Sequence, residues 1–149
     1  MKSVIFVCLG NICRSPLAEG VARRIAEERG LDVVIDSAGT GDWHVGEAPC
    51  ESSVTVARRH AIDIASYRAR QVKREDLERF DLVIALDEKN YNDLKRMGAG
   101  RLHKLGEFGH GGEDVPDPYF FPGYEGFEKV FAMVERCVEE LFERHFLEK

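Results

Sequence analysis

The chain has 149 residues, of which 44% are hydrophobic and 32% charged, and its formal net charge at pH 7 is -6. That length and balance fit one soluble domain, residues 1–149, with a full core. The acidic total speaks against a general nucleic-acid binder, and no apolar run reaches membrane-spanning length. Residues 3–8, SVIFVC, are continuous and rich in β-branched side chains, the pattern of a strand buried on both faces rather than of a signal peptide. The expected compartment is the cytoplasm, with Cys8, Cys13, Cys50 and Cys137 as reduced thiols. Their spacing has no C-x2-C pair, so no metal site is expected.

Residues 16–29 follow with Leu17, Ala18, Val21, Ala22, Ile25 and Ala26 at helical spacing, and Gly30 ends that helix. Residues 31–36 predict a second strand and residues 37–49 a glycine-rich loop. Residues 51–61 predict a helix. A short helix at 74–80 leads into a strand at 81–87, and a helix at 88–97 is closed by Gly98. Residues 101–108 read as a weaker strand and 109–126 as a loop rich in Gly and Pro. The last helix, roughly 125–147, places Phe127, Val130, Phe131, Val134, Val138 and Leu141 on one face, and Cys137 belongs to that core. Four strands alternating with helices imply an α/β fold with a parallel sheet covered on both faces, and ligands in such folds sit beyond the carboxyl ends of the strands.

The first such place is VCLGNICRSP, residues 7–16. Pro16 suits a first helical turn and Ser15 a cap. Backbone N–H groups of Leu9, Gly10, Asn11, Ile12, Cys13, Arg14 and Ser15, together with the helix N-terminus, would cradle a tetrahedral oxyanion. Gly10 allows unusual backbone angles, and Asn11 tolerates left-handed geometry and braces the loop. Arg14 offers a planar fork for two anion oxygens. Helix N-termini and nearby cations favour the thiolate form of a cysteine, so Cys8 is placed as a nucleophile under a bound phosphate. No lysine and no G-x4-G-K-[ST] pattern supports a nucleotide loop instead.

The loop resembles the signature of the low-molecular-weight protein tyrosine phosphatases, and the likeness continues through DSAGTGDW (36–43), ARQV (69–72), LDE (86–88) and DPY (117–119). The resemblance implies a single-domain, flavodoxin-like doubly wound sheet of four parallel strands. It also implies no cofactor, a phosphocysteine intermediate, phosphotyrosine proteins or aryl phosphates as substrates, and inorganic phosphate as product. It assigns Cys8 as nucleophile, Arg14 as phosphate clamp, and Asn11 and Ser15 as loop supports, Ser15 also easing departure of the cysteine. Asp117 becomes the general acid and base, since a carboxyl before Pro118 is held in extended backbone, with Asp114 able to interact with it. The pocket walls are Leu9, Ile12, Trp43 and Tyr119, with Asp42 at the rim. Ser37 is expected to brace Asn11, and Asp87 to orient Arg14. The family often has a His where Tyr67 stands. Cys13 is expected to form a reversible disulfide with Cys8 where the loop folds the two together, which shields Cys8 from irreversible oxidation. Two other readings remain. Related protein-arginine phosphatases usually carry Thr at the place of Ile12 and lack the aromatic walls. A non-catalytic phosphoprotein-binding module would need neither the acid nor the thiol. Assembly beyond a monomer is not expected.

Overall fold

The computed structural model describes residues 2–116 and 123–146. Strand β1, Lys2–Cys8, sits inside a four-stranded sheet of order β2-β1-β3-β4, with β2 at Val33–Gly39, β3 at Leu82–Ala85 and β4 at Leu102–Lys104. All three pairings are parallel, so each connection is a crossover that carries helix to a face of the sheet.

The alternation of side chains along β1 divides the core in two. Val4 and Phe6 enter a large cluster with Leu17, Val21 and Ile25 of α1 (Arg14–Arg29) and Val130, Phe131, Val134 and Phe142 of α5 (Gly123–His145). Ile5 and Val7 enter a second cluster with Val83 and Ala85 of β3, Leu77 of α3 (Arg74–Arg79) and Leu94 of α4 (Glu88–Arg96). Helices therefore cover both faces, and β1 needs apolar residues at every position: Val4 through Val7 are fully buried. Helix α2, Glu51–Arg59, adds Val56 and Ala57 to the larger cluster. Gly30 ends α1 in the left-handed conformation. Cys137 lies in α5 with no exposure, and burial pushes its thiol up to about 11.

Several boundaries differ from the sequence reading. The second strand runs to Gly39 instead of 36, because Ser37, Ala38 and Gly39 stay in register with Phe6, Val7 and Cys8. The ladder thus reaches the end of β1, and Gly39 bridges onward to Gln71. The weak strand at 101–108 shortens to Leu102–Lys104, followed by a 3-10 turn, Leu105–Glu107, in which the Glu107 carboxylate accepts from Lys104 N–H. The helix expected at 51–61 stops at Arg59, and Ala61 takes a left-handed turn. No helix among the described residues is long and apolar enough to cross a membrane.

Candidate active site

Residues 9–13 connect the carboxyl end of β1 to α1 and wrap the Cys8 sulfur. The carbonyls of Cys8 and Leu9 accept from Thr40 and Gly41 N–H, both at 2.9 Å. The Ile12 carbonyl accepts from Cys50 N–H at 2.8 Å, and the Cys13 carbonyl from the Ser53 hydroxyl at 3.1 Å. In a trans peptide the N–H that follows a carbonyl points the opposite way. With these carbonyls spent on the outer walls, the N–H groups of Leu9, Gly10, Cys13 and Arg14 point away from those walls. Asn11 N–H lies 3.3 Å from Cys8 Sγ. The left-handed residue is Asn11, at φ 57°, and not Gly10. Gly10 leaves space for a neighbour: a Cβ there would stand 2.9 Å from the His44 ring.

The side chains of Ser15, Asn11, Ser37 and Glu19 form a hydrogen-bonded network that branches at Asn11, one arm reaching the sulfur and the other Glu19. Arg70 N–H donates to Asn11 Oδ1 at 3.0 Å, which turns Asn11 Nδ2 toward Ser15 Oγ (2.7 Å) and Ser37 Oγ (3.0 Å). The Ser37 hydroxyl donates to Glu19 Oε1 at 2.6 Å. Ser15 Oγ accepts from Asn11 Nδ2 and lies 3.0 Å from Cys8 Sγ, where its hydroxyl can donate to a thiolate. Ser15 is therefore not the helix cap that the sequence suggests. Cys13 holds that position, and Ser15 lies buried in the first turn.

Glu19 is 6% exposed, and burial raises its carboxyl above the usual range against the hydrogen bonds from Ser37 and Arg23. Arg23 links Glu19, at 2.9 Å, to Tyr67, whose ring lies under the guanidinium at 5.9 Å. Burial and the Glu19 charge push the Tyr67 phenol up to about 12. Where the sequence resemblance leads one to look for a histidine, Tyr67 thus contacts the outer end of the network, and the backbone of Arg70 meets Asn11. Sequence reasoning missed Glu19, Arg23 and Arg70. A charged residue on a helix reads as solvated, and only the packing of α1 against β2 reveals Glu19.

Arg14 Nη1 donates to Asp87 Oδ2 at 2.7 Å and to the Val115 carbonyl at 3.0 Å. Asp87 also caps α4 through Asn90 N–H at 2.8 Å. A cavity of about 180 Å³ opens above the sulfur, lined by Cys8, Leu9, Gly10, Ile12, Cys13, Arg14, Trp43 and His44. Trp43 is 68% exposed and Leu9 38%, so both form an apolar lip. His44, to which the sequence assigns no chemistry, joins the wall and pairs with Glu47 at 3.0 Å. Asp42 is exposed and is not among the lining residues. Asp117 and Tyr119 lie outside the described residues. Asp114 is engaged by Lys104 Nζ at 2.7 Å and Glu88 N–H at 2.9 Å. A larger hollow, about 610 Å³, lies at the opposite end of the sheet, lined by Lys2, Asp81, Arg101, His103 and His145 among others, and no cysteine is among its described lining residues.

The cysteines correct the sequence reading. Cys13 is joined to Cys50, with Cα atoms 5.5 Å apart, and not to Cys8. The cause is the start of α2, whose Cys50 N–H and Ser53 hydroxyl clamp the loop at Ile12 and Cys13. Cys8 and Cys137 are free thiols, and no group of three or more His, Cys, Asp or Glu among the described residues could hold a metal ion.

Residues 3–149 match the family model of the low molecular weight phosphotyrosine protein phosphatases. The chain belongs to this family. It is 40% identical over 149 residues to the Bacillus subtilis low molecular weight protein-tyrosine-phosphatase YfkJ, covering 95% of this chain and 94% of that one. A crystal structure of YfkJ superposes with a TM-score of 0.88 over 97% of this chain and 94% of that chain. The low molecular weight phosphotyrosine protein phosphatase of Sus scrofa is 37% identical over 99% of this chain and 95% of its own. The structure of a Drosophila arginine phosphatase, 28% identical, superposes with a TM-score of 0.91 over the whole of both chains. The flavodoxin-like order of this phosphatase's sheet agrees with these neighbours.

Proposed function

We propose that the protein hydrolyses phosphotyrosine and other aryl phosphate monoesters through a phosphocysteine on Cys8. The observation that carries this reading is the Cys8 sulfur lying 3.0 Å from the Ser15 hydroxyl at the base of a cavity that Arg14 also lines. An anion seated there meets loop N–H groups and the Arg14 guanidinium, held in place by Asp87 and Val115. Cys8 attacks phosphorus in line, the bond to the phenolic oxygen breaks, and Asp117 protonates the leaving phenolate. Asp117 then takes a proton from the water that attacks the phosphocysteine. Phosphate departs, and Ser15 O–H and Asn11 N–H stabilise the returning thiolate. The charge that develops on the equatorial oxygens faces donors that need no rearrangement.

The apolar lip favours an aryl substrate. Leu9, Ile12 and Trp43 flank the cavity mouth, and such walls grip a flat ring. A phosphoguanidine would bring a cationic, hydrogen-bonding group against the same surfaces, so phosphoarginine is the weaker candidate.

The test is rapid-mixing kinetics with p-nitrophenyl phosphate, followed by phosphotyrosine and phosphoarginine peptides. The expected result is a burst of one nitrophenol per protein and preference for the phosphotyrosine peptide. Replacing Cys8 by Ser should lower turnover by more than about 10³-fold. Asp117→Ala should lower kcat by about 10²-fold on phosphotyrosine and much less on a substrate with a good leaving group. Binding of phosphopeptide without turnover would show a non-catalytic module, and preference for phosphoarginine would reverse the substrate assignment.

A further inference from the structure

The Cys13–Cys50 bond serves no step of phosphoryl transfer, yet it lies at the phosphate loop. Cys13 lines the cavity above the Cys8 sulfur and is 7% exposed, against 2% for Cys8. Cys50 is the residue before α2. The segments that the bond joins are already tied by Cys50 N–H to the Ile12 carbonyl at 2.8 Å and by Ser53 Oγ to the Cys13 carbonyl at 3.1 Å. Those hydrogen bonds survive reduction of the sulfurs, so Cys50 stays beside Cys13 in either redox state. The cross-link therefore joins segments that hydrogen bonds already hold side by side. Cys13 lines the chamber of a nucleophilic thiol, and that is the position for exchange.

We infer that Cys13 and Cys50 form a thiol relay that takes oxidising equivalents from Cys8. The inference rests on Cys8 being the reactive thiolate of the proposed phosphatase. A peroxide oxidises Cys8 to the sulfenic acid and releases hydroxide. The Cys13 thiolate attacks the Cys8 sulfur; the S–O bond breaks, a second hydroxide leaves, and a Cys8–Cys13 bond forms. The Cys50 thiolate then attacks the Cys13 sulfur. The Cys8–Cys13 bond breaks with its electron pair on Cys8, where Ser15 O–H and Asn11 N–H receive the thiolate at 3.0 and 3.3 Å. In sum, one peroxide and the thiols of Cys13 and Cys50 become two waters and the Cys13–Cys50 disulfide, and Cys8 is restored. A dithiol reductant resets the pair. Cys137 takes no part, since it is fully buried within α5.

The experiment starts from fully reduced protein freed of reductant and given one equivalent of hydrogen peroxide. Activity on p-nitrophenyl phosphate and the state of each cysteine, trapped by alkylation and mapped by mass spectrometry, are followed in time. In the wild type, activity falls and then returns with no added thiol, while Cys13–Cys50 becomes the final bond and Cys8 becomes alkylatable. Cys50→Ser turns over substrate when reduced, but after peroxide it stops at Cys8–Cys13 and recovers at least ten-fold more slowly until a dithiol is added. A final Cys8–Cys13 bond in the wild type, or equal unaided recovery in Cys50→Ser, overturns the relay. If the variant folds poorly, the order in which bonds appear in the wild type decides alone. Reduced protein that never turns over the aryl phosphate overturns the phosphatase reading instead, and the mass map still scores the relay.

Discussion

Arg14 and Asp87 meet at 2.7 Å, the first from the opening turn of α1 and the second from the cap of α4, with side chains only 7% and 20% exposed. Two crossovers of the sheet thus converge on one guanidinium. Asp87→Asn keeps an acceptor for Asn90 N–H, so α4 stays capped, but it removes the charge facing Arg14. A hydrogen bond to a charged group is worth about 1.5–3 kcal/mol, which predicts a roughly 10- to 100-fold loss in kcat/KM and a weaker inhibition constant for inorganic phosphate. Steady-state kinetics with phosphate as inhibitor checks this. An unchanged phosphate constant would show that Asp87 serves the helix alone.

Ser15→Ala removes the hydroxyl 3.0 Å from Cys8 Sγ that the proposed mechanism uses to receive the departing thiolate. The expected phenotype is a preserved nitrophenol burst followed by steady turnover reduced by about 10²-fold, because only return of the thiolate loses a donor. Rapid quenching should find the phosphocysteine accumulated. Loss of the burst together with turnover would place the hydroxyl's effect on the attack step instead.

Gly41→Ala acts on the cavity lip. A Cβ at Gly41 would stand 2.0 Å from Trp43 Cζ3, so the ring must swing aside, and its exposure leaves it room to do so. KM for aryl phosphates is predicted to rise by about 3- to 10-fold with kcat little changed. Trp43 is the sole tryptophan, so its fluorescence reports the displacement directly.

Asp76 gives a pH-dependent prediction. Burial works to raise its carboxyl, but hydrogen bonds from Arg70 and Lys73 N–H outweigh it, and the pKa is lowered. A carboxyl depressed in the folded state stabilises fully above its unfolded value, about 3.9, and that stability is lost as pH falls through the folded value. Asp76→Asn should cost about 1–3 kcal/mol in urea unfolding at pH 7, and the gap to wild type should narrow as pH falls below the unfolded carboxyl value. Because Arg70 N–H holds Asn11, the same variant should also loosen phosphate binding at neutral pH.

The strand, the loop and the apolar face of α5 were legible because each is a local pattern: a continuous apolar run, a cluster of turn residues before a proline, and a helical repeat. The pairing of Asp87 with Arg14 and of Ser37 with Asn11 followed from family likeness, and the structure shows both contacts. The partner of Cys13 was not legible, because Cys50 is 37 positions away and only the seating of α2 on the loop brings it near. Glu19 was hidden among the charges of α1. The extension of β2 to Gly39 was hidden by glycine and serine, which read as loop until β1 supplies a ladder. Gly10 was read as a source of unusual backbone angles, whereas its lack of a side chain leaves space for His44.

The phosphate cradle lies in the first tenth of the chain, yet its braces come from residues 37, 70, 87 and 115. On the ribosome, the nucleophile is made early and its electrostatic setting late. A nascent chain halted before Val115 carries the sulfur without the finished grip on Arg14, so the proposed anion site is complete only as synthesis nears the final helix.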